Sequence, residues 1–154
     1  MAEESSPDIV LNLIRRAQPY LFIHGVINGK HNAPFFVTRF QDALHHFSSL
    51  FDMLDTIIER MLIEKVMLGR EALNTIASEG WERVERPESY KQWQLRNMRA
   101  GFVQVPLSRR LAQFVFNKIA SRYHKDFNVD KVGKWLLLGW KGRFLYAFST
   151  WKPA

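Results

Sequence analysis

The sequence predicts an α/β domain that opens with helices and closes with an antiparallel hairpin. Three observations carry this reading. Apolar residues recur at three- and four-residue steps through several long segments, the spacing of helices with one buried face. One short stretch, "YLFIHGVIN", is almost wholly apolar and is bounded by Pro19 and Asn28-Gly29, which reads as a buried strand. At the end, "WLLLGW" and "RFLYAFSTW" flank Lys141-Gly142, a pair suited to a two-residue hairpin turn.

The elements follow in order. Ser6 ahead of Pro7 and Asp8 marks a helix start, with a capping hydroxyl and then proline and an acid in the first turn. Ile9, Val10, Leu13, Ile14 and Ala17 share one face, and the helix is expected to end near Gln18-Pro19. After the strand at 20–27 and the loop "NGKHNA", Pro34 opens a long helix. Phe36, Phe40, Leu44, Phe47, Phe51 and Leu54 recur along it, and the stripe of Phe36, Phe40, Phe47 and Phe51 reads as core packing, with a partner groove as the alternative. A second long helix is expected over about 59–78, with Gly80 as its C-terminal cap. A third is expected to begin near Pro87 and stop before Gly101. A fourth follows Pro106-Leu107-Ser108 and carries Leu111, Val115 and Ile119 towards Tyr123. A short strand near 127–129 precedes the hairpin.

Pairing across Lys141-Gly142 sets Trp140 opposite Arg143, Leu138 opposite Leu145 and Leu136 opposite Ala147. The other face pairs Gly139 with Phe144, Leu137 with Tyr146 and Trp135 with Phe148. Both faces are apolar, whereas a hairpin with one wet face alternates polar and apolar. Helices are therefore expected on both sides, and Arg143 is expected to stack on Trp140. Each fully buried large side chain contributes roughly 1.5–3 kcal/mol, while ordering a residue costs about 1.5 kcal/mol. The hairpin cannot stand alone and must dock onto a sheet.

At 154 residues the chain is one domain's worth, long enough to bury a core. It has no cysteine, which excludes a disulfide framework and a thiolate metal site and fits a cytosolic or nuclear setting. No apolar run approaches the roughly 18 residues of a membrane span, and the polar start "MAEESSPD" is not a signal peptide. The net charge is +7, but the basic residues are scattered, and glutamates interrupt the densest stretch, "RVERPESYKQWQLRNMR". No repeat, low-complexity stretch or clear linker is visible.

Several long motifs, in order, resemble the C-terminal part of the GRAS family of plant transcriptional regulators, in particular its scarecrow-like branch. "PFFVTRFQDAL" is similar to the family's PFYRE motif, with Pro34, Phe35, Arg39 and Phe40 in place and Gln41-Asp42 where the usual Arg-Glu pair stands. "GREALNTIASEGWERVERPESYKQWQLRNMRAGF", with Arg70 and Glu71 near its start, resembles the opening of the SAW region. "WLLLGWKGRFLYAFSTWKP" resembles its end, with Trp135, Trp140, Gly142 and Trp151 in place and threonine for alanine at Thr150.

The resemblance implies one partial GRAS domain over 1–154, PFYRE-like over about 6–58 and SAW-like over about 59–153. It implies that these strands finish a Rossmann-like, methyltransferase-like sheet with flanking helices, whose last two strands are the hairpin. The family's leucine heptads and VHIID motif lie upstream and have no match here, so the chain reads as less than half of such a domain. The implied function is non-enzymatic transcriptional regulation in the nucleus, with the cytoplasm as a further location. It would work through contacts with other transcription factors or GRAS proteins, self-association included, with no cofactor and no membrane.

Two other readings stand beside it. An enzyme remnant on the methyltransferase-like fold would need a glycine-rich cofactor loop after a strand and an acid for the ribose, and neither is visible. Asn32-Ala33-Pro34-Phe35 has the wrong second residue for an amino-methyltransferase loop. Weak sequence-nonspecific DNA association would follow from the basic balance. The histidines His24, His31, His45, His46 and His124 lack chelating spacing, and His24 reads as a hydrogen-bonded core or sheet-end residue. Arg83, Arg86, Arg96 and Arg99 read as a solvated face by default, and otherwise as a salt-bridge network tying the helical layer to the core or as a partner-facing patch.

Overall fold

The computed structural model describes residues 5–29, 33–56, 68–77 and 88–154. The expected helix over 59–78 lies partly outside these residues, and its Gly80 cap wholly so. In order, the elements are α1 (Ser6–Arg16), β1 (Phe22–Ile27), α2 (Phe36–Leu54), α3 (Gly69–Ile76) and α4 (Tyr90–Arg99). Then come β2 (Phe102–Val105), α5 (Arg109–Arg122), β3 (Phe127–Val132), β4 (Trp135–Trp140) and β5 (Arg143–Pro153).

Local chemistry sets the helix ends. The cap residue of α1 is Ser5 rather than Ser6, and its hydroxyl bonds Asp8. Ser89 caps α4 in a reciprocal capping box with Gln92, so α4 starts at Tyr90. Ser108 caps α5 by accepting from the Leu111 amide.

The sheet runs β1-β5-β4-β3, and every pairing is antiparallel. β5 is reversed relative to both neighbours, so β1 and β4 run the same way. β3 in turn runs with β5, so directions alternate across the described sheet. β2 was not anticipated from sequence. Thr150 and Trp151 pair with β1 on one edge and with β2 on the other, so β2 extends the β4 side of β5. Its signal is short: "FVQV" stands between Gly101, at φ +83°, and Pro106.

The hairpin turn forms at Lys141-Gly142, with φ of 47° and 80°. Two consecutive positive φ values define the primed turn whose twist matches a hairpin. Trp140 pairs with Arg143 and Gly139 with Phe144, as expected, but Leu138 pairs with Tyr146, Leu137 with Ala147 and Leu136 with Phe148. Leu145 is an extra residue, a bulge, and shifts every later pair by one. The bulge turns Leu145 and Tyr146 to the same side.

Both faces of the hairpin are covered. On one, Leu11 of α1 packs with Val26, Phe102, Trp135, Leu137, Ala147 and Trp151, flanked by Tyr90 and Trp93 of α4. On the other, Ala43, Phe47, Leu50 and Leu54 of α2 pack with Leu68, Trp140 and Leu145, flanked by Ala72 and Ile76 of α3.

A methyl group on Gly139 would sit 2.3 Å from the Arg143 carbonyl oxygen, whereas one on Gly142 would meet nothing within 4 Å. Gly139→Ala is expected to cost about 1–3 kcal/mol, because hairpin backbone must move. Gly142→Val is expected to cost more than about 1 kcal/mol through backbone strain alone. Denaturation midpoints check both, and an unchanged midpoint for Gly142→Val refutes the conformational argument.

Candidate interaction surface

Among the described residues β1 is an edge strand. Phe22 and Val26 join the core under α1 and α4, while Ile23 on the opposite face is 68% exposed and Ile27 is 37% exposed. The sequence reading of β1 as buried on both sides is therefore corrected: no described strand pairs with its outer edge, and α2 leaves Ile23 open. No residue of Phe22–Ile27 is charged. The opposite edge strand, β3, is blunted by exposed Asp130 and Lys131. Inside β1, Gly25 leaves room for the Phe148 ring, which a Cβ would meet at 2.7 Å.

α2 lies over the same face as Ile23 and presents a second open apolar strip. Its buried side is Arg39, Ala43, His46, Phe47, Leu50 and Leu54. Of the phenylalanine stripe read as core, only Phe47 is buried; Phe36, Phe40 and Phe51 are 49%, 37% and 37% exposed, and Leu44 is 50% exposed. The apolar arc of α2 is wider than the sheet it covers, and the sheet takes the half centred on Ala43. Pro34 and Phe35 are exposed at the helix entrance. Arg39 is buried, donates from Nη1 to the Ala33 carbonyl at 3.4 Å and lies 5.7 Å over the Phe36 ring.

The SAW-like residues divide by role. Arg70 is exposed on α3, and Glu71 is half-buried. Burial first, and then the Glu71 charge, push the Tyr146 phenol up from its ordinary value. Arg83 and Arg86 lie outside the described residues. Arg96 reaches Asp8 at 2.7 Å and Glu88 at 2.8 Å and stacks 5.5 Å over Trp93. It joins the start of α1 to α4 and is occupied within the chain. Arg99 is exposed on the next turn.

The three tryptophans of the hairpin are seated with their indole N–H groups satisfied. Trp135 Nε1 donates to Gln94 Oε1 at 3.2 Å, Trp140 Nε1 to Asp52 Oδ2 at 2.5 Å, and Trp151 Nε1 to Ser149 Oγ at 2.7 Å. Arg143 does not stack on Trp140. It turns to α2 and pairs with Asp42 at 2.9 Å, while Lys141 lies 5.9 Å over the indole and bonds Asp52 at 2.7 Å. The Lys141 ammonium and the Trp140 N–H hold the Asp52 carboxyl below its ordinary value.

Sequence reasoning missed Asn97. Fully buried on α4, it places Nδ2 2.9 Å from His24 Nδ1, and its Oδ1 has no hydrogen-bond partner. The signal was a lone polar residue on the inward side of α4. His24 also meets Trp93 edge-on at 4.8 Å and stacks on Phe22 at 5.2 Å. Burial lowers the His24 pKa from its ordinary value, against the Asn97 contact. Among the described residues no cluster of histidine and acidic groups could hold a metal, and no helix is long and apolar enough to cross a membrane.

Two predictions follow from these contacts. Arg96→Ala is expected to cost about 1–2 kcal/mol, since it strands two partly buried carboxylates, whereas Arg99→Ala is expected to stay within about 0.5 kcal/mol. Equal effects in paired melts would refute the assignment of Arg96 to the helix layer. For His24, the folded pKa lies below the unfolded one, so the unfolded chain takes up the proton first as pH falls. Its contribution is present above about pH 6.5 and is lost below it. His24→Leu is expected to remove that part of the pH slope, and an unchanged slope below about pH 6.5 would refute it.

Comparison with known proteins gives a consistent result. Residues 1–152 match the model of the GRAS domain family. Scarecrow-like protein 9 of Arabidopsis thaliana is 57% identical over 155 residues, covering 97% of this chain and 22% of that protein. DELLA protein 1 of Medicago truncatula is 32% identical over 170 residues, covering 99% of this chain and 29% of that protein. A crystal structure of SCL7 in Oryza sativa superposes with a TM-score of 0.86 at 27% identity, covering 97% of this chain and 44% of that one. The chain spans less than a third of these two curated relatives and less than half of the solved structure.

Proposed function

Because the chain belongs to the GRAS domain family, we propose that it is the C-terminal part of a regulator of plant transcription that works without catalysis, through contacts with other proteins in the nucleus. The Scarecrow-like and DELLA relatives support the regulatory class. The observation that carries the contact reading is the uncharged outer edge of β1, unpaired among the described residues, beside the exposed phenylalanine strip of α2. Strand edges of this kind recruit a further strand, and apolar patches of this kind recruit a partner surface.

The first occupant proposed for this surface is the remainder of a GRAS domain. The solved relative is more than twice as long as the part this chain matches, which supports a fold with strands and helices beyond β1. Other transcription factors or a second GRAS protein would then use the surface that remains. The non-enzymatic reading has its own support. Catalysis of methyl transfer needs a glycine-rich loop after a strand that lets a cofactor approach the backbone, and the sequence after β1, Asn28-Gly29-Lys30-His31-Asn32, does not have that pattern.

The test is co-expression with the upstream part of the GRAS domain of Scarecrow-like protein 9. The two pieces are expected to co-purify as one monodisperse complex. The chain alone is expected to self-associate and to bind a hydrophobic dye. A monodisperse monomer that binds neither the dye nor the upstream piece would overturn the reading.

A further inference from the structure

The two flanks of α4 differ. At about 100° per residue, Tyr90, Trp93 and Asn97 share its inward side. One flank carries Arg96, which ties the helix to α1 through Asp8. The opposite flank carries Lys91, Gln94, Leu95 and Met98 and borders a groove of about 720 Å³. Across the groove stand β2 and the turn between β3 and β4, with Val132, Gly133 and Lys134.

The floor of the groove is fixed and apolar. Phe102 and Trp135 are buried, and Tyr90 meets the Trp135 ring edge-on at 5.4 Å. Val132 pairs with Trp135, so the two side chains share a face of the sheet. α5 packs on β3 from the other face, where Tyr123 meets Phe127 and Phe127 joins the α2 cluster. Val132 is therefore left open.

The α4 wall is apolar where a surface helix ordinarily turns polar residues outward. Leu95 and Met98 are each more than half exposed and stand three residues apart, in a helix whose other residues are polar or aromatic. Single exposed apolar residues need no explanation, but a contiguous apolar patch marks an interaction site. The charge here has one sign. No acid lines the groove, whereas Lys91 and Lys134 do, both exposed. Lys134 Nζ donates to the Gln104 carbonyl at 3.0 Å, and neither ammonium has an acidic partner among the described residues. Asp130 stands on the same face two residues before Val132, outside the lining.

We propose that this groove binds a short acidic and apolar segment of a partner protein. Bulky apolar side chains of the segment seat against Leu95, Met98, Val132 and the Trp135 floor, and its carboxylates meet Lys91 and Lys134. Buried apolar anchors supply the affinity, and the lysines select the partner by the sign of its charge. From Tyr90 to Met98 the wall runs about 12 Å, the length of about two helical turns. A compact small molecule fits less well, because such ligands need most of their surface buried, and the exposure of Leu95, Met98 and Val132 leaves the groove open. The site lies on the α1–α4 face of the sheet, whereas Ile23 and the phenylalanine strip of α2 lie on the other. Failure of this proposal leaves the one at β1 standing, and the reverse holds too.

Fluorescence anisotropy of the chain with a labelled peptide of about twelve residues tests it, the peptide carrying phenylalanine and leucine at helical spacing with aspartate between them. Saturable binding is expected. Leu95→Glu or Met98→Glu should weaken it at least about tenfold, as should lysine in place of aspartate in the peptide. Lys91→Glu combined with Lys134→Glu should weaken the aspartate peptide and restore binding of the lysine peptide. Lys118→Glu on α5 and Ile23→Glu on β1 should change neither. Where a glutamate variant fails to fold by circular dichroism, Leu95→Gln and Met98→Gln decide in its place. Absence of saturable binding would overturn the proposal. So would binding that Ile23→Glu abolishes and the α4 variants retain, since the peptide then sits at β1, or binding lost only with the lysine substitutions, which is charge alone. Loss of binding in the co-purified complex with the upstream piece would also overturn it, because the groove would then be internal to the domain.

Discussion

The described structure depends on β5 being used on both edges and both faces at once. Along its length it pairs with β1 on one side and with β4 and then β2 on the other. Leu145, Ala147, Ser149, Thr150 and Trp151 are buried. A strand enclosed in this way cannot afford an alternating polar pattern, because no face of it meets water. That is why aromatic residues accumulate at the end of the chain, where a free terminus would otherwise expose them. Each indole N–H then needs its own acceptor, since an unpaired buried donor costs about 1–3 kcal/mol. Gln94, Asp52 and Ser149 supply the acceptors, from α4, from α2 and from β5 itself.

The same enclosure explains what was legible in the sequence. The turn at Lys141-Gly142 was legible because positive φ demands a particular residue type, and so was the need for helices on both faces. The register beyond Gly139 was not. A bulge shows in sequence only when it breaks a polar–apolar alternation, and Phe144, Leu145 and Tyr146 are all apolar. β2 escaped for a different reason: four residues are too few for a period, and only Gly101 and Pro106 mark its ends. On α2 the apolar stripe was visible, but its breadth hid which half faced the sheet. The core half is centred on Ala43, whose small side chain lets the helix approach, and the larger phenylalanines lie to one side.

The polar contacts act mainly as fasteners between layers. Arg96 links α1 to α4, Arg143 links β5 to α2, and Asp52 of α2 holds both Trp140 and Lys141 at the hairpin turn. The last of these lies in solvent and contributes orientation rather than stability. Arg96 is better shielded, with Glu88 only 15% exposed, and it is the one most able to fix how α1 sits on the sheet. Its role as a fastener was among the readings open from sequence; its two carboxylates, 80 residues apart in the chain, could be found only in the fold.

The two ends of the sheet show which surfaces the fold treats as final. β3 is an edge strand carrying Asp130 and Lys131, and α5 packs beside it. Charges of that kind disfavour further strand addition, so among the described strands β3 is the guarded edge. β1 carries no charge, exposes Ile23 and Ile27, and lies beside a helix whose phenylalanines are half open. An edge without such protection is tolerable only where another strand regularly covers it. The two ends of the described sheet therefore differ in kind: charges guard β3, while an uncharged edge and a half-open apolar strip meet at β1.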